Sequence, residues 1–300
     1  MNGSRVSLIS GMPPAILERM DEVSTVCLDA HVHLYPLYRS DEAIASLFRN
    51  LGSWAARAGG SDEGRDALAP VCRVAILAES RRCHAFREIR AQGCIRGTEG
   101  LKVAPTESYG VAITAANGDR LHLLAGRQVV TRERIEILAL TVDAAIPDGL
   151  SADETLAAVK QAEGVSVVSW APGKWLGGRG RVVLSLIERY PPAAFLLGDS
   201  SLRPTVWTEP LLMRRGRRRG FAIVAGSDPL PFAGEERRAG TYGCVYRGPF
   251  DDAHPVSSMR RILTERPSSL RLAGRRSGPF EVALRLMKNA RSKSAAGPGG

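Results

Sequence analysis

The sequence predicts an α/β protein built on a largely parallel sheet, open or closed into a barrel. Three observations predict it. Short apolar runs alternate with longer amphipathic ones along most of the chain, the spacing expected of βα units. Three hundred residues, 44% hydrophobic and 24% charged, suffice for one large domain and are too apolar for a disordered chain. No stretch reaches the roughly 18 apolar residues that a membrane helix needs, so no membrane partner is expected.

Along the chain, strands are expected at residues 26–34, 71–78, 110–115, 121–125, 135–141, 165–170, 194–197 and 221–225. Each is a short apolar run bounded by polar or glycine-containing residues. Helices are expected at 40–58, 83–91, 151–162, 180–190, 209–218, 256–264 and 280–290, where apolar residues recur at helical spacing. The start, MNGSRVSLISGMPPAILERMDE, breaks its apolar run at Pro13-Pro14 and then turns acidic, which argues against a signal peptide. Residues 59–66 read as a polar loop. Asn117-Gly118 between two strand-like runs predicts an inserted β-hairpin with a tight primed turn. Ser151, with Glu154 three residues on, forms a capping box at a helix start. Arg214-Arg215-Gly216-Arg217-Arg218-Arg219 closes the 209–218 helix, where cations complement the helix dipole. Residues 1–291 read as a single domain and 292–300 as a disordered tail.

The net charge is +10, and 36 of the 41 basic residues are arginine. Such a charge either recruits nucleic acid or acidic ligands or is a basic surface without dedicated purpose, the reading favoured here. Aromatic residues are only 6%, and no nucleic-acid motif interleaves them with the basic residues, so specific nucleic-acid binding is not expected. Five cysteines without a CxxC pair argue against a disulfide framework and a zinc knuckle, and for a cytoplasmic protein. Cys27 reads as a core residue. No GxSxG motif appears, and Cys83-His84 adjacency is not the spatial arrangement of a catalytic dyad.

In α/β folds the ligand sits at the carboxyl ends of the strands. The polar residues ending the apolar runs are Asp29, His31 and His33; Glu79 and Ser80; Glu136; Trp170 with Lys174 beyond it; Asp199; and Ser227 with Asp228. In Cys27-Leu28-Asp29-Ala30-His31-Val32-His33-Leu34, period-two spacing puts His31 and His33 on one side of a strand, able to bind one cation. Neutral imidazole suits Zn, Mn or Fe, and Asp29 on the same face would orient the ligands. The competing reading is two polar residues on a solvated edge. The glycine-rich stretch from Trp170 to Gly180, with Lys174 and Arg179, forms either an anion cradle at a helix start or a structural loop. Arg203 either clamps a phosphate or carboxylate or pairs locally with Asp199. His84 and His122 read as structural, and His254 beside Asp251-Asp252 as a capped loop histidine. The role of Gly126-Arg127-Gln128 is not legible.

An early Asp-x-His-x-His, a glutamate in a central strand and a late Gly226-Ser227-Asp228 together resemble the PHP (polymerase and histidinol phosphatase) superfamily, over roughly residues 28–228. The resemblance implies a distorted (βα) barrel of mostly parallel strands holding one to three divalent metals, often hydrolysing phosphate esters. Carried over by position, it makes His31, His33, Glu79, Glu136 and Asp228 metal ligands, with Glu136 and Asp228 also catalytic. Ser80, Trp170 and Leu230 stand where the family pattern has histidine. Amidohydrolases share the HxH and a late aspartate.

The expected function is therefore a divalent-metal-dependent hydrolase, a phosphoesterase using a metal-activated water, with a small phosphorylated substrate held by Lys174, Arg179 or Arg203. Two alternatives stand beside it. One is a non-catalytic binding or regulatory protein on a decayed barrel, suggested by the three missing histidines. The other is an amidohydrolase-type C–N or lactone hydrolase.

Overall fold

The computed structural model describes residues 23–58, 70–81 and 83–295. The amino-terminal stretch read against a signal peptide, the 59–66 loop and residues 296–300 of the expected tail lie outside the described residues.

Among the described residues, twelve strands form two mixed sheets. The first contains β1 (Val23–Val32), β2 (Val71–Leu77), β3 (Lys102–Pro105), β4 (Gly110–Thr114), β5 (Arg120–Leu124), β11 (Tyr242–Pro249) and β12 (Arg271–Gly274), in the order β12-β11-β1-β2-β5-β4-β3. The second contains β6 (Gly126–Val130), β7 (Glu136–Leu140), β8 (Val165–Ser169), β9 (Leu196–Ser200) and β10 (Ile223–Gly226), in the order β10-β9-β8-β7-β6. Seven α-helices accompany them among the described residues: α1 (Ser40–Ala58), α2 (Ala85–Gln92), α3 (Ala152–Gln161), α4 (Gly177–Arg189), α5 (Leu211–Arg218), α6 (Pro255–Glu265) and α7 (Pro279–Ala295).

The class is α/β, but the expected distorted barrel of mostly parallel strands is not what forms. Four ladders are parallel and six antiparallel. Among the described residues no ladder joins β10 to β1, and the other junction between the sheets is a single bridge from Glu79 to Arg127. The connections explain the direction changes. The link from β6 to β7 is too short for a crossover, so the pair is antiparallel. After β7 the chain runs back beside β6, where Gly149 donates to the Val130 carbonyl, before α3 returns it to β8. That return makes β7 and β8 antiparallel despite the helix between them.

The two sheets pack face to face around a core that includes Leu28, Ile76, Leu138, Val167 and Val224. The outer face of the first sheet is covered by α1 and α2 through Leu47, Trp54 and Phe86, and that of the second by α4 and α5 through Val183, Leu186 and Met213. The β4–β5 hairpin is present, but its turn is not of the primed type. Gly118 donates to the Ala115 carbonyl and alone takes a left-handed conformation there (φ +86°), giving a three-residue loop. The Ser151–Glu154 capping box opens α3 as expected. Helix α7 continues to Ala295.

Candidate metal centre

The first strand carries a bulge where the site begins. Asp29 pairs with Ala75 but Val32 pairs with Leu77, so β1 has one more residue than β2 over this stretch. The extra residue reverses which side each position faces. Val26, Leu28 and Ala30 lie in the core between the sheets, whereas Val32 joins Cys27, Ala75 and Leu77 on the outer side. His31 and His33 thereby turn to the interior, away from the face that Asp29 occupies, and the single face expected for all three does not exist.

Both imidazoles are buried, and their Nε2 atoms lie 3.1 Å apart. Asp228 Oδ1 stands 3.6 Å from His31 Nε2 and 3.7 Å from His33 Nε2. Gln128 Oε1 lies 2.9 Å from His31 Nε2. Ligands bonded at about 2.0–2.2 Å to a tetrahedral ion are separated by roughly 3.3–3.6 Å, so this triangle has the dimensions of a first-row metal site. Among the described residues it is the one group of metal-ligating side chains that converges in this way. Two imidazoles, a carboxylate and a neutral amide oxygen fit a borderline cation such as Zn, Mn or Fe.

Asp228 is held in a sparsely populated conformation, φ +48°. Such geometry persists only where surrounding contacts over-determine it. Its own N–H donates to the His31 carbonyl (2.9 Å), and Ser200 Oγ donates to Oδ2 (3.0 Å). One residue earlier, Ser227 donates through N–H and Oγ to the Asp29 carboxylate, which also accepts from the N–H groups of His31 and Gly240. Asp29 therefore positions the Asp228 turn against β1 rather than orienting a histidine ring. On the far side, buried Arg285 of α7 donates to the Asp228 carbonyl (3.2 Å), to Glu235 and to the hydroxyls of Ser201 and Ser277. Glu235 in turn accepts from Leu230 N–H (3.0 Å).

The electrostatics favour metal ligation. Burial, with His31 beside it, lowers the His33 pKa to about 3, which keeps the ring neutral with a lone pair to offer. Burial works to raise Asp228, yet His31, His33, Arg285 and the Ser200 hydroxyl together hold it below the usual carboxylate range. Asp29, fully enclosed, is pushed up to about 6 by burial despite its four donors. Tyr35 stacks on His33 with ring centroids 4.9 Å apart, and burial, then Asp228, Cys83 and Glu136, raise its hydroxyl pKa.

The remaining sequence candidates sit outside the triangle. Glu79 is buried and accepts from Phe86 N–H (2.9 Å), capping the first turn of α2. Glu136 forms an ion pair with Lys174 (2.7 Å). Arg179 donates to the Gly173 carbonyl (2.8 Å) and closes the loop before α4. Arg203 is committed to Asp199, with bonds of 2.8 and 2.6 Å, and to the Trp207 carbonyl, which is the local pairing weighed above. Trp170 and Leu230 are buried apolar side chains, and the Ser80 hydroxyl donates toward Cys83 Sγ. His254 pairs with Asp251 at the start of α6, and His122 with Asp252.

Gln128, Ser200, Tyr35 and Arg285 escaped the sequence reading. Gln128 carried the best available signal, half of an Arg127-Gln128 polar pair just after the hairpin. Gly126, where a Cβ would lie 2.3 Å from the Leu77 carbonyl oxygen, marks the close crossing of β6 over β2.

No family model matches the chain, and no curated protein matches its sequence. Solved structures give distant likenesses. PsfC from Pseudomonas syringae PB-5123 aligns with 91% of this chain and 99% of its own, at 10% identity and a TM-score of 0.48. The lesion-specific endonuclease PfuEndoQ from Pyrococcus furiosus aligns at 10% identity and a TM-score of 0.44, over 83% of this chain and 57% of that one. A two-domain protein from Bacteroides vulgatus ATCC 8482, containing a predicted PHP-like metal-dependent phosphoesterase, aligns at 11% identity and a TM-score of 0.44, over 85% of this chain and 66% of that one. This chain thus spans less than two thirds of the endonuclease and of the Bacteroides protein. Among the described residues no helix is long and apolar enough to cross a membrane.

Proposed function

We propose that the protein is a divalent-metal-dependent hydrolase acting on a small phosphorylated substrate. The observation that carries this reading is the buried triangle of His31, His33 and Asp228, with metal-site dimensions and donor chemistry. A divalent cation held there would supply Lewis acidity and bring the pKa of a water toward neutrality. His31 and His33 would bind it as neutral imidazoles, and Asp228 would contribute the negative charge. Gln128 Oε1, beside the same His31 Nε2 that would face the cation, would stand there as a neutral oxygen donor. Glu136 and Lys174, paired with each other, would form the polar rim of the site. Buried Trp170 and Leu230 would exclude water from the far side. In this reading Glu79 supports α2, and Arg203 supports the β9 loop, rather than touching metal or substrate.

The test is hydrolysis of p-nitrophenyl phosphate by manganese-reconstituted protein. Turnover should be measurable in wild type and fall at least about a hundredfold in His31→Ala/His33→Ala, the scale of losing a metal-supplied nucleophile. Equal rates in the two proteins would refute the assignment.

A binding or regulatory protein is the second reading. It is favoured by the non-ligating side chains at Ser80, Trp170 and Leu230, and by the engagement of Glu136 with Lys174. It predicts saturable phosphate binding by the metal-loaded protein without turnover of phosphate, amide or lactone substrates.

A further inference from the structure

The sheet face that carries Gln128 holds a second carboxylate, and a cation already answers it. Glu136 pairs across β6–β7 with Val130, and Leu138 pairs with Gln128. Directly opposed residues share a face, as do residues two apart, so Glu136 and Gln128 lie on the same face of that sheet. Gln128 meets His31 on that face. Tyr35, stacked on His33, lies within the electrostatic reach of both Asp228 and Glu136. Lys174 Nζ, 2.7 Å from Glu136 Oε1, therefore brings an ammonium to the face that carries Gln128, and it is still 30% exposed there.

We infer that Lys174 is the fixed second cation of a one-metal centre, positioned by Glu136 to receive the anionic group of the substrate. The inference rests on the metal reading above and adds to it a stoichiometry and a substrate contact. Asp228 and Glu136 carry two negative charges and Lys174 one positive, so a single divalent ion leaves the site with one net positive charge. That balance suits a phosphoryl group. A second divalent ion would have to take the place beside Glu136 that the ammonium fills. An ammonium is also a compact charge with three rotatable donors, suited to a phosphoryl oxygen.

The test is titration calorimetry of wild type, Lys174→Met, Glu136→Gln and the double variant, first with manganese and then, on the loaded proteins, with inorganic phosphate. Near-UV circular dichroism confirms that each variant is folded. Wild type should take up one manganese equivalent. Lys174→Met should retain manganese affinity within about twofold and bind phosphate at least about tenfold more weakly, the loss expected of one charge-assisted contact. Glu136→Gln releases the ammonium and should tighten phosphate several-fold, with the double variant between the two. Unchanged phosphate affinity in Lys174→Met would overturn the inference while leaving the metal reading intact. Two or more manganese equivalents in wild type would also overturn it, because a metal would then supply the second charge. No manganese uptake by wild type would remove the metal reading itself, and this inference with it.

Discussion

Glu79, two residues beyond β2, carries a carboxylate that burial pushes up to about 7, partly offset by the Phe86 N–H it accepts. A carboxyl with a raised folded-state pKa keeps its proton in the folded chain after the unfolded chain has lost it. Stability therefore falls as pH rises from about 4.5 to about 7 and stays lower above that range. Glu79→Gln keeps an acceptor for Phe86 and removes this loss. Its stability relative to wild type should be near zero at pH 4 and reach about 2–3 kcal/mol at pH 8, read from urea unfolding at the two pH values. The same variant should retain metal, because Glu79 lies outside the His31–His33–Asp228 triangle. An advantage that does not grow with pH, or a loss of metal, would return Glu79 to the site. His33 shows the opposite use of burial: the enclosure that penalises a charged ring leaves a neutral ligand.

The site is made at junctions between elements. Gly226 crosses β1 so closely that a Cβ would lie 2.3 Å from His31 Cβ and 2.4 Å from His31 N. Gly226→Ala should cost about 1–3 kcal/mol or more and impair metal uptake through displaced His31, checked by thermal unfolding and metal content. Helix α7 contributes through buried Arg285. Arg285→Ala leaves Glu235 buried without its partner and should destabilise the fold by about 3–5 kcal/mol in denaturant unfolding. Glu235→Gln/Arg285→Met, which removes both charges, should cost less; equal losses would mean that the charges do not matter. These junctions explain what the sequence could tell. Helix α1 was legible at Ser40–Ala58, and the cores of β1, β2, β7 and β8 stood out as apolar runs. Four strands were not. In β6, Gly126-Arg127-Gln128 interrupts the apolar pattern because Gln128 faces the site. In β11, glycines and Arg247 break the run, and β3 and β12 are short and mostly exposed. His31, His33 and Asp228 were legible as strand-end residues, but the bulge that separates Asp29 from the histidines depends on pairing with β2 and leaves no local mark.

Across the whole molecule, the barrel expected from the family resemblance gives way to two mixed sheets that meet around one core. The reason lies in the connections: the short β6–β7 link and the return before α3 force antiparallel neighbours that no local apolar pattern distinguishes from parallel ones. The net charge of +10 acts at this scale too. It predicts that association with duplex DNA weakens steeply with salt and is indifferent to sequence, measured by fluorescence anisotropy on two unrelated duplexes at two salt concentrations; sequence-dependent binding would contradict this. The central claim, that β1 and the turn after β10 build a metal site, is tested most directly by plasma mass spectrometry of untagged protein. Wild type should carry about one equivalent of Mn, Fe or Zn per chain as purified or after reconstitution, and His31→Ala/His33→Ala should carry none. No metal in wild type after reconstitution, or the same content in both proteins, would contradict it.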